Sequence, residues 1–212
     1  MVEVVMDEFL ASSESIDWMS AGVSEQAARL KAGSASVSAT IERCFVFVRD
    51  EIKHSGDAGC ERVTWRASDV LHHRTGYCYA KSHLLAALLR ANGIPAGLCY
   101  QRLRVDDRGN GFCLHGLNAV RLGEHRWYRL DARGNKAGLG AAFSPPREFL
   151  PFSPQHVGER NLLGIYAEPL PVVLSALKAY QTCGELETHL PDLEREPGLD
   201  GPTWARSVRG EQ

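Results

Sequence analysis

The chain has 212 residues, 44% hydrophobic and 24% charged, enough apolar material for one sizeable core. Twenty-four Lys and Arg against 26 Asp and Glu leave a net charge of −2, which gives no electrostatic footing for nucleic acid or an anionic membrane surface. No stretch is apolar enough to span a bilayer, and residues 1–8 lack the basic start and apolar run of a signal peptide, so a cytoplasmic location is expected.

Helical patterning fills the first third. Ser24 to Lys31 reads as a short helix stopped by Gly33. Val37, Ile41, Cys44, Phe45, Val48 and Ile52 then recur as one helical stripe, read as core rather than as a binding face. Ser55 to Gly59 reads as a loop, and Ser68-Asp69 as the cap of a helical turn reaching Leu71. His54 and Trp65 are the upstream residues able to donate to an oxyanion; their ordinary readings are a solvated helix end and core, and these are preferred. His72 and His73 read as exposed loop histidines.

The next helix carries chemistry. Thr75 is placed to cap it, and Ala80, Leu84, Ala87, Leu88 and Ala91 repeat as one apolar face. Asn92-Gly93 ends it and Pro95 prevents its resumption. Cys78 therefore sits in the first turn, where unpaired N–H groups and the helix dipole favour a thiolate. Strands follow at 96–105, 112–122 and 125–131, joined by a polar loop at 106–111 and a tight connection at 122–124. With Gly123 at the centre of the second hairpin, His115 lies directly across from Asp131, and Ala119 across from Trp127.

Beyond Asp131, residues 135–142 are glycine-rich, and Phe143 to Leu150 reads equally as a wall of a cleft or as a loop with one helical turn. Leu170 to Thr182 is expected to be helical, with Val173, Leu174, Leu177 and Tyr180 inward. From residue 185 on, Glu, Pro and Gly accumulate, and partial disorder is expected. The organisation expected is one domain over 1–184, its core about 37–135, with a tail over 185–212.

The six cysteines, Cys44, Cys60, Cys78, Cys99, Cys113 and Cys183, are scattered with no C-x-x-C pair, which argues against a disulfide framework. Cys99 and Cys113 could oppose one another in the first hairpin, though packed thiols are expected. Cys113 and His115 with Cys78 would make a loose metal set, and no metal is expected. There is no P-loop, dinucleotide fingerprint or internal repeat, and no cofactor is expected.

Taken singly, Cys78, His115 and Asp131 have ordinary explanations: a packed thiol, a hydrogen-bonded histidine and a strand-end carboxylate. Together they make a nucleophile, a base and a group that fixes the base's tautomer. Gly76-Tyr77-Cys78 with Ala80, the Leu84–Arg90 run and Gly93-Ile94-Pro95-Ala96 resembles the cysteine segment of the transglutaminase-like superfamily. His115 and Trp127-Tyr128-Arg129-Leu130-Asp131 resemble its histidine and aspartate segments, at spacings of 37 and 16 residues. The resemblance runs from about Ser68 to Asn135 and is closest to bacterial transglutaminase-like and cysteine-protease-like members. Leu117 departs from it, standing where many relatives carry an aromatic residue.

The resemblance implies an α+β, papain-like fold with the cysteine helix on an antiparallel sheet. It implies a thiol-dependent acyl-transfer enzyme in which Cys78 is nucleophile, His115 general base and acid, and Asp131 the orienting residue. The backbone N–H of Cys78 is the expected oxyanion donor. Hydrolysis of a peptide, protein or small amide through a thioester is favoured over transamidation. The alternative is a silent scaffold that binds a peptide or protein partner.

Overall fold

The computed structural model describes residues 7–106, 111–123 and 126–196. Most of the loop expected at 106–111, part of the connection near 124, His125 at the head of the third strand, and the tail beyond 196 lie outside them. Along the chain run α1 (Ala21–Lys31), α2 (Val37–Val46), a π-helical turn (Phe47–Glu51), β1 (Lys53–His54), α3 (Ser55–Ala58), α4 (Ala67–His73), β2 (Thr75–Gly76) and α5 (Cys78–Ala91). There follow β3 (Ala96–Arg104), β4 (Phe112–Leu122), β5 (Arg126–Leu130), β6 (Ala142–Ser144), β7 (Arg147–Phe149), β8 (Arg160–Asn161), α6 (Pro171–Ala179) and α7 (Cys183–Glu187).

The architecture is α+β, with α5 at its centre. Strands β5-β4-β3-β8 form an antiparallel sheet, and α5 packs between it and the helices α1, α2 and α4. Sequence periodicity marks one apolar face on α5, yet every residue from Cys78 to Arg90 is buried. Lys81, Ser82, His83 and Arg90 are therefore interior polar groups, and each needs an internal partner. Among the described residues no helix is long and apolar enough to cross a membrane.

Arg90 shows how that need is met. Its guanidinium donates to the carbonyls of Ala11, Ala96 and Ala167, at 2.8, 3.0 and 2.6 Å, tying the N-terminal segment, β3 and the approach to α6 to the end of α5. His83 is matched by the Trp65 carbonyl, 2.8 Å from its Nδ1.

Several sequence expectations shift in the structure. Helix α1 starts at Ala21. The stripe from Val37 is core from Ile41 to Ile52, but Val37 itself is 61% exposed, and the helix loosens into the π turn before Val48 reaches the core. Residues 55–58 are a helical turn, not a loop, closed by Gly59 at φ 61°. Thr75 does not cap α5. It lies in β2, paired in parallel with β1, and its hydroxyl meets Ser55 Oγ at 3.0 Å. Tyr77 is the N-cap residue and gives no side-chain cap. Phe143 to Leu150 is neither loop nor helical turn but the β6–β7 hairpin. Cys99 faces Leu117 and Cys113 faces Leu103, so these thiols do not oppose, and all six cysteines are free. The boundary expected after 184 falls inside α7, and Pro191 to Glu194 are bonded to β4, β3 and β8 in turn.

The second hairpin pairs Leu122 with Arg126 and Asn118 with Leu130, a slip of two from the register centred on Gly123. Three residues separate the paired ends where one was assumed. A slip of two preserves the face of every side chain, because strand side chains alternate. His115 and Asp131 thus stay on one face as diagonal neighbours, while Ala119 faces Arg129 instead of Trp127.

Arg90→Leu leaves three interior carbonyls short of a donor. It should lower unfolding free energy by about 3 kcal/mol, read as a reduced urea midpoint at unchanged slope.

Candidate active site

The site forms where the start of α5 meets the edge of β4. Backbone N–H groups of a strand point to alternate edges, so those of Leu114 and Gly116 share the edge turned away from β3. Pairing with β5 covers that edge only from Asn118 onward. Below it, α5 supplies the partners. The Gly116 N–H donates to Cys78 Sγ at 3.5 Å, and the Tyr79 hydroxyl donates to the Leu114 carbonyl. One turn on, Asn118 Nδ2 reaches the Ser82 carbonyl at 2.9 Å. Glycine at 116 suits this close approach, because a Cβ there would stand 3.1 Å from the Tyr79 backbone and the helix would have to give by a few tenths of an ångström.

Cys78 is the first residue of α5 and 7% exposed. The N–H groups of a first helical turn have no intrahelical acceptor, and with no side-chain cap they are left to whatever approaches the sulfur. His115 projects from the alternate face of β4, and its Nε2 lies 2.5 Å from Asp131 Oδ2. Asp131 Oδ1 accepts the Arg133 N–H at 2.8 Å, which holds the carboxylate in place. With Nε2 committed to Asp131, Nδ1 is the ring nitrogen left free for the sulfur, and Cys78 is close enough to act on the charge of His115. Phe152 closes over the imidazole edge-on, ring centroids 4.7 Å apart.

Burial alone would disfavour the imidazolium. The Asp131 carboxylate and then the Cys78 sulfur outweigh it and hold the His115 pKa up at about 10. An imidazole so placed keeps a proton between the carboxylate and the thiol at neutral pH, which suits it to pass that proton to and from a group attacked at sulfur.

His54 is no solvated helix end. Its side chain is 10% exposed, lies edge-on to Tyr77, and has Nδ1 3.8 Å from Asp57. Burial, then Arg133, pushes its pKa down to about 3, so the ring is neutral. Trp65 packs on the core between Arg66 and Lys178, away from the sulfur. His72 and His73 are exposed, as expected, but they form the last turn of α4 rather than a loop.

Two residues escaped the sequence reading. Lys81 is 1% exposed beneath the site, its ammonium donating to the Ile52 carbonyl. Burial lowers its pKa to about 7, against the opposing pull of Asp131. Its i, i+3 spacing from Cys78 was the available signal, hidden because lysine reads as solvated. Phe152 carried no signal, since only the return of the chain after β7 brings it over His115. A cavity of about 330 Å³ opens behind the site between Arg49, His54, Asp57 and Arg133, lined by neither Cys78 nor His115. Among the described residues no His, Cys, Asp and Glu cluster could hold a metal ion.

The model of the transglutaminase-like superfamily core matches residues 24–132, just over half of the chain. The chain belongs to the transglutaminase-like superfamily. No curated protein matches it. The crystal structure of a candidate cysteine protease from Cytophaga hutchinsonii is similar, with a TM-score of 0.51 and 19% identity over 61% of this chain and 42% of that one. That of a TGase gives 0.38 and 17% over 68% and 37%. The chain spans less than half the length of either. Transglutaminase-like architecture accounts for the central cysteine helix and the curled antiparallel sheet, and the matched span contains Cys78, His115 and Asp131.

Because the folded pKa of His115 is raised, the stability it contributes is complete below its unfolded value near 6.5 and is lost as pH rises toward 10. In imidazole NMR titrations His115 should stay protonated through pH 8 and titrate near 10. Asp131→Asn should bring that titration down, and the loss of stability that His115 contributes between pH 6.5 and 10 should shrink with it.

Proposed function

We propose that this protein is a thiol-dependent acyl-transfer enzyme, with Cys78 as nucleophile, His115 as general acid and base, and Asp131 as the group that orients His115. One observation carries the reading: a buried imidazole is held by Asp131 through Nε2 on the strand whose Gly116 N–H donates to a cysteine at an uncapped helix N-terminus. Cys78 Sγ adds to the carbonyl carbon of a peptide or carboxamide, and the first-turn N–H groups of α5 stabilise the oxyanion. The carbon–nitrogen bond breaks as His115 gives its proton to the departing amine. Water then adds to the thioester with His115 as base, and the carboxylic acid leaves as the thiol is regenerated. Hydrolysis of a peptide, protein or small amide is preferred to transamidation, for nothing near Cys78 marks a second site for an acceptor amine. No cofactor enters this sequence, and nucleic acid has no part in it.

A second reading, a scaffold that holds a peptide without turning it over, draws on the near-complete burial of Cys78 and His115, 7% and 6% exposed. Turnover separates the two. Cys78→Ala should lower hydrolysis of a peptide-amide library by about four orders of magnitude or more while the thermal transition is retained. A wild-type rate no greater than that of Cys78→Ala, with peptide binding intact in both, would favour the scaffold.

A further inference from the structure

The edge of β4 that holds Cys78 holds one more group. The Leu114 N–H, two residues before Gly116 on the same edge, donates to the Pro191 carbonyl at 2.7 Å. Groups two apart on one strand edge are separated by about 7 Å, so a chain bonded at Leu114 needs only one repeat to bring its next carbonyl to the sulfur. Extended peptides bind exposed strand edges in this way. Cys113 confirms the closeness from the side: burial, then Cys78, then Asp192 raise its pKa, so the thiol and the segment share one neighbourhood.

From Pro191 the chain does not follow β4 but crosses the sheet. Leu114, Arg102 and Arg160 are register partners on β4, β3 and β8, a row perpendicular to the strands. The segment bonds to each in turn. Arg102 grips Asp192 with two bonds of 2.6 Å, and Arg160 donates to the carbonyls of Leu193 and Glu194 at 2.8 and 2.5 Å. The Glu196 carboxylate accepts from the N–H groups of Leu163 and Gly164 and from the Tyr166 hydroxyl. Asp192 is one-third exposed, and its ion pair with Arg102, the one salt bridge of the segment among the described residues, is of the kind that salt and competing carboxylates weaken.

We propose that the β4 edge at Leu114 docks an extended acyl-donor peptide carrying an acidic side chain toward Arg102, and that Pro191–Glu196 is a resident strap which this peptide displaces. This rests on Cys78 as nucleophile and supplies the substrate class for that site.

The test compares wild type with the full-length Asp192→Ala/Glu196→Ala variant. Cys78 is labelled by iodoacetamide, which needs no docking, and by a peptidyl vinyl sulfone, acetyl-Ala-Asp-Gln, which does. Iodoacetamide rates should agree within about twofold, while the vinyl sulfone labels the variant about tenfold faster or more, in line with a larger open fraction. Added hexapeptide Pro-Asp-Leu-Glu-Arg-Glu should slow the variant again, and raising NaCl should speed wild type. Hydrogen exchange at the Leu114 amide reports whether the strap has left. Equal vinyl sulfone rates with that amide freely exchanging would overturn the proposal, and so would an amide still protected in the variant. Asp192→Asn, which keeps the side chain's shape, is the control if the double variant fails to fold, and should fall between the two. An inert Cys78 in both proteins would instead sink the thiol reading; binding of the unreactive peptide amide at Leu114 then decides the docking edge by itself.

Discussion

The approach of α5 to β4 at Gly116 is the constraint from which the site follows. A strand edge left unpaired inside a protein must find donors and acceptors, and here the start of α5 provides them through Cys78 and Tyr79. The absence of a Cβ at residue 116 eases that approach, since a side chain there would press on the Tyr79 backbone at 3.1 Å. The contact puts the sulfur at the rim of the sheet rather than on either face. A thiol at the rim can reach the imidazole of His115, which points to the face opposite the helix.

That arrangement puts several ionisable groups in the interior at once. Asp131 is 1% exposed and Lys81 likewise, with His115 nearly as enclosed. Single charges are costly in such surroundings, and the groups are arranged so that each answers another. Asp131 is held by His115 and by the Arg133 backbone, while Lys81 donates to a carbonyl and lies within the field of Asp131. The raised pKa of His115 and the lowered pKa of Lys81 are two consequences of one buried cluster, not independent tunings.

The strand edge also links the site to the C-terminal segment. Strand β5 stops pairing at Asn118, so residues 112–116 present an edge that helix, strap and incoming peptide can share. A segment that reads in sequence as a polar tail is held across the sheet, because the Asp192 carboxylate finds Arg102 on β3 and the carbonyls of Leu193 and Glu194 find Arg160 on β8.

Local pattern was enough for the elements that carry the chemistry. The 3.6-residue repeat after Cys78 and the Asn92-Gly93 stop located α5; alternation and polar breaks located β3, β4 and β5; and the parity of residues 115 and 131 put their side chains on one face for any turn with an odd number of residues between the paired ends. The family's motif spacing, with the helix dipole at Cys78, was likewise written in the chain. Tertiary structure alone decided the register of the second hairpin, the full enclosure of α5 with Lys81 and His83 inside it, Phe152 over His115, and the strap across Leu114, Arg102 and Arg160. The division has one physical cause. Periodicity reports which way a side chain faces along its own element, whereas burial of a polar group, and the partner that satisfies it, are set by chain segments far away in sequence.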